Sequence, residues 1–65
     1  MNDDNAESEY ARMMIEHHRD AIRMSRALLA GKPRPRIRAF AEGVVSEQSK
    51  EISWLKSWLA KNSKG

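Results

Sequence analysis

The chain reads as an all-α protein, an antiparallel two-helix hairpin that dimerises into a four-helix bundle, and three features predict this. Apolar residues recur at spacings of three and four along two stretches of similar length, a pattern that a strand does not produce. Gly31, Pro33 and Pro35 separate the two stretches and prevent one continuous helix. At 65 residues the chain is below the size at which one core usually supplies more than about 3–5 kcal/mol, so self-association is the expected reinforcement.

Residues 1–65 form a single hairpin domain, with helix one over about 5–30, a turn over 31–35 and helix two over about 36–61. Asp4 followed three residues later by Glu7 is a capping-box-like start, with acids at the positive end of the helix dipole. From there Tyr10, Met14, His17, Ala21, Met24 and Leu28 trace the expected seam, and His18, Ile22 and Leu29 widen it. Glu16, Arg19, Asp20, Arg23 and Arg26 fall outside that face and read as solvated.

Gly31 is the natural residue after the last helical turn. Helix two then carries Ile37, Ala41, Val44, Val45, Gln48, Ile52, Leu55 and Leu59 along its apolar face, and the terminal Ser63-Lys64-Gly65 is expected to fray. Gly43 lies inside it, tolerated at about 1 kcal/mol relative to alanine unless it permits a close helix crossing. Two helices joined by so short a turn lie antiparallel, and facing residue numbers sum to roughly 66. His17 and His18 are thereby level with Gln48 and Ser49, close to Glu47 and Glu51, while Tyr10 comes within reach of Leu55 or Leu59.

Composition narrows the function classes. The absence of cysteine excludes disulfides and thiolate metal sites, and no apolar run is long enough for a membrane span. The acidic start Asn2-Asp3-Asp4 is the opposite of a signal-peptide n-region, although a signal removed from an exported protein would leave no trace. Net charge is +3 with acids and bases interspersed, apart from one basic run of Lys32, Arg34, Arg36 and Arg38. That run reads as a solvated loop or an anion-attracting surface, and without an interleaved aromatic it is no platform for nucleic acid.

The chemistry concentrates in Met13-Met14-Ile15-Glu16-His17-His18, which holds both histidines and two of the four methionines. On a helix Met13 pairs with His17 and Met14 with His18, each one turn apart. Thioether and imidazole together suit monovalent copper or its mimic silver, whereas hard ions want oxygen. The competing reading is structural, since methionine is a common gap filler and histidine a common polar residue at a core edge. His17 and His18 differ by about 100° around the helix and serve different sites, and Met24 stands roughly 10.5 Å beyond His17. Glu47, Gln48 and Glu51 are positioned to hydrogen-bond the imidazoles or to ligate directly. A di-iron carboxylate site is disfavoured, because Met14 and Ile15 occupy the positions three residues before the histidines where glutamates are needed.

The string Met14-Ile15-x-His17-His18-x-x-Ala21-x-x-Met24, followed after the turn by Gln48-x-x-Glu51-Ile52 and then Trp58-Leu59, resembles the family catalogued as domain of unknown function 305. The resemblance runs from about Tyr10 to Leu59. It implies a ferritin-like bundle of mostly exported bacterial proteins, among them members that bind copper through Met and His. Carried over residue by residue, the ligands it implies are Met14, His17, His18 and Met24, to which the helical spacing adds Met13. The chain departs from the family pattern at Leu55, where a methionine is usual. Longer members carry the hairpin twice, so that this chain corresponds to one half or a fragment.

Two functions are therefore expected to compete. The first is copper binding or sequestration, without enzymatic activity, by a homodimer carrying metal on Met13, Met14, His17, His18 and Met24, which the resemblance implies to be exported or periplasmic. The alternative is a helical protein interaction module anchored by Trp54 and Trp58, one turn apart. An enzyme is not expected, as neither a nucleophile placed with a base nor an acid pair beyond Glu47 and Glu51 is recognisable.

Overall fold

The computed structural model describes residues 3–62, with side chains from Ala6 onward. Helix α1 spans Asp3–Ala30 and helix α2 spans Pro35–Asn62, packed side by side as a rod of 48 × 15 × 15 Å. Helix α1 is already formed at Asp3, two residues ahead of the expected start, and α2 extends one residue further than expected. The proposed capping by the Asp4 side chain and the fraying of Ser63-Lys64-Gly65 lie outside the described residues.

The turn ends α1 differently from the glycine cap that the sequence suggests. The Gly31 amide donates to the Leu28 carbonyl at 3.0 Å, closing a tight turn, but the left-handed residue is Lys32, at φ 60°. The reversal is thus taken by a residue with a side chain, immediately before Pro33. Proline suits the start of α2, because Pro35 at its first position lacks only an amide hydrogen that the helix does not use. The far end of α2 is closed by the Asn62 side-chain amide, which donates to the Trp58 carbonyl at 2.9 Å.

The face that α1 buries corrects the expected seam. Its enclosed residues are Ser8, Ala11, Ile15 and His18, continued by the partly covered Ile22, Ser25 and Leu29. The stripe of Tyr10, Met14, His17, Ala21, Met24 and Leu28 lies beside it on the helix surface, with Met14 and Ala21 partly covered and the rest exposed. Each buried residue from Ala11 onward follows an open-stripe residue by one position, which on a helix is a turn of about 100°. Both stripes have the alternating three and four spacing of a helix seam. A hairpin gives each helix one neighbour, so one stripe is covered and the other is left.

Helix α2 repeats this arrangement. Ala41 is buried and Val45, Gln48, Ile52, Leu55 and Leu59 are partly covered against α1; one position earlier, Phe40, Glu47, Glu51 and Trp54 are exposed and Val44 and Trp58 partly covered, and Ile37 continues that stripe, exposed. Small residues dominate the enclosed set, and among the described residues no large side chain is fully buried. Gly43 is exposed, and a Cβ built there meets nothing within 4 Å, so it permits no close crossing between the two helices.

Candidate functional site

Because α1 and α2 run antiparallel with Met14 and His18 level with Glu51, residues distant in sequence meet near the middle of the rod. His18 is 6% exposed, and its Nε2–H donates to Glu51 Oε1 at 2.5 Å. The contact fixes the ring orientation and leaves Nδ1 buried without a hydrogen-bond partner. Glu51 itself is more than half exposed. One side of the pair is held rigidly in the seam; the other reaches in from solvent.

Beside this pair opens a cavity of about 230 Å³ lined by Tyr10, Met14, His18, Glu51, Trp54 and Leu55. It adjoins a larger groove of about 440 Å³ formed by Ala6, Glu7, Tyr10, Ala11, Trp54, Leu55 and Trp58. Their shared residues place the open stripe of α1 and that of α2 on one side of the rod. The wall is mostly apolar and aromatic, with His18 and Glu51 supplying the polar groups of the smaller cavity.

Of the residues singled out by sequence, the structure brings together Met14, His18 and Glu51. Met13 is 66% exposed and His17 is exposed beside it, so their one-turn spacing places them on the outer edge of the open face. Met24, also exposed, is nearly two turns beyond His17 toward the hairpin turn, outside the cavity. Glu47 pairs with Lys50 at 3.7 Å on the surface, and Gln48 is partly covered in the seam. Leu55 lines both cavities.

The donor set is soft and mixed. Among the described residues no three His, Asp or Glu side chains converge as a metal-holding group, and the cavity wall carries one thioether sulfur, at Met14, and one imidazole, at His18. Phe40 was missed by sequence reasoning altogether, although it belongs to the open stripe of α2 at the spacing Ile37, Phe40, Val44 and is 68% exposed. Tyr10 was assigned to the seam and instead stands at the mouth of both cavities.

The model of a family described as a domain of unknown function (DUF305) matches residues 1–62. No curated protein and no solved structure matches the chain.

Proposed function

We propose, for a chain that belongs to the domain of unknown function 305 family, a non-enzymatic role in binding or sequestering monovalent copper through Met and His side chains. The observation that supports this most is the cavity lined by both Met14 and His18, one turn apart, beside Glu51. A carboxylate hydrogen-bonded to an imidazole is the usual way a protein orients a ligating histidine and raises its basicity. Met13 and His17 form a second, exposed thioether and imidazole pair, and Met24 extends the soft donors along the same face. A linear or trigonal ion such as Cu(I) takes two or three such donors.

Titration with Ag(I), or with Cu(I) under reducing conditions, tests the assignment. Methyl resonances of Met13 and Met14 and ring resonances of His17 and His18 are expected to shift at micromolar metal. Unmoved resonances at these residues would refute it.

A second reading, in which the open face receives a protein, is favoured by a separate observation. Trp54 is 64% exposed on that face, together with Tyr10, Met24, Ile37 and Phe40. The partner is a second copy of the hairpin, since a face with seam spacing on both helices is what another helix pair would cover to complete a four-helix bundle. The two readings are compatible, because such a partner brings further donors over Met14 and His17.

A further inference from the structure

We propose that the turn end of the hairpin docks on an anionic phospholipid surface, a role independent of the metal reading. Between Asp20 and Glu42 the chain has no acid, while Arg23, Arg26, Lys32, Arg34, Arg36 and Arg38 lie in that interval. All six are exposed, and of these Arg23 is paired with Asp20. The net charge of the whole chain is therefore concentrated at one end of a rod 48 Å long. At about 0.15 M ionic strength, where charges are screened beyond about 8 Å, that end presents its own positive potential.

These bases are not placed to favour the helix dipoles at the turn. The first turn of α2 contains no acid and the last turn of α1 no base, so both helix ends at the turn lack the side chains that favour the backbone dipole. Arg36 and Arg38 stand instead at the positive end of α2, where cations are unfavourable. Arg38 also caps the connection by donating to the Pro33 carbonyl at 3.3 Å, which keeps its guanidinium at the tip.

The same end exposes apolar side chains from both helices. Leu28 of α1 and Ile37 and Phe40 of α2 lie open on one stripe each, with Arg36 one turn before Phe40. Bases beside exposed aliphatic and aromatic groups are the composition of an interfacial anchor, in which cations meet lipid phosphates and the apolar groups enter the acyl boundary. Further along the same face Glu47 and Glu51 are exposed, and an anionic surface repels them. The docking surface thus ends where the acids begin, so the rod meets the bilayer by its turn and not along its length.

Sedimentation of the full chain with vesicles of equal parts phosphatidylglycerol and phosphatidylcholine tests this. The chain is expected to pellet with these vesicles, to remain in solution with phosphatidylcholine alone, and to be released at about 1 M salt, where the screening length is ~3 Å. Arg34→Gln, Arg36→Gln and Arg38→Gln should each weaken retention about fivefold. Phe40→Ser should weaken it roughly tenfold, and Ile37→Ser gives the same reading if the first variant loses helicity. Failure to pellet, equal pelleting with phosphatidylcholine alone, or undiminished retention of both apolar variants would overturn the proposal. Retention on immobilised duplex DNA equal to that on the vesicles, insensitive to Phe40→Ser, would reassign the basic end to nucleic acid. A Phe40→Ser chain that changes its mass in solution but pellets as before would assign Phe40 to pairing between copies and also overturn it.

Discussion

His18 and Glu51 come from opposite helices, thirty-three positions apart, and are joined by a 2.5 Å hydrogen bond that ties the seam to the open face. Removing the acceptor leaves the buried imidazole N–H without a partner. Glu51→Ala is therefore expected to lower stability by about 1 kcal/mol, while Glu51→Gln, whose amide oxygen accepts the same bond, stays within about 0.5 kcal/mol. Urea unfolding of the two variants separates a hydrogen bond from a purely ionic contact.

Silver affinity should depend on pH, since a protonated imidazole does not ligate. Binding is expected to weaken from about pH 7 to about pH 5, the interval in which histidines ordinarily titrate. Affinity that stays constant over this range would assign the metal to the methionine sulfurs alone.

Gly43→Ala should stabilise the hairpin by about 1 kcal/mol, because the position is helical and the added methyl meets open space. A loss of stability, read by thermal unfolding, would mean that something covers Gly43 in solution.

Lys32→Gly should also stabilise, by about 0.5–1 kcal/mol, since glycine relieves the left-handed backbone at this residue despite its greater freedom when unfolded. Denaturant midpoints of the two chains test it.

Pairing of two hairpins predicts helicity that falls on dilution and a mass twice that of the chain. Trp54→Glu should convert such a species to monomer, as the indole is exposed on the face to be covered. A concentration-independent melt of a species with monomer mass would dismiss the pairing.

The two helices and the reversal were legible because Gly31, Pro33 and Pro35 punctuate two strongly periodic stretches. The choice of face was not. His18, Ile22 and Leu29 were expected only to widen the seam and instead belong to its covered stripe, because Tyr10, Met14, Ala21 and Leu28 make as apolar a stripe, and Ser8 and Ser25 look like surface residues by composition. Serines and alanines are enclosed there because small side chains let the helix axes approach, a property of the pair that periodicity in one helix does not express. Helix register did foretell that His18 and Glu51 would be neighbours, since both lie near the middle of their helices. Phe40 and Ala41 lie one position apart on stripes of the same spacing, so periodicity alone does not say which of the two is covered.

That offset of one residue gives the hairpin a signature in the tolerance of substitutions. In a library of all single replacements selected for folded protein inside cells, a hairpin standing alone would reject polar residues along one stripe of each helix, led by Ala11, Ile15 and Ala41. A hairpin whose open side is covered would reject them along two adjacent stripes, the second running through Tyr10, Met14 and Trp54. The state of assembly would then be readable from genotype frequencies alone, at physiological concentration and without isolating the protein.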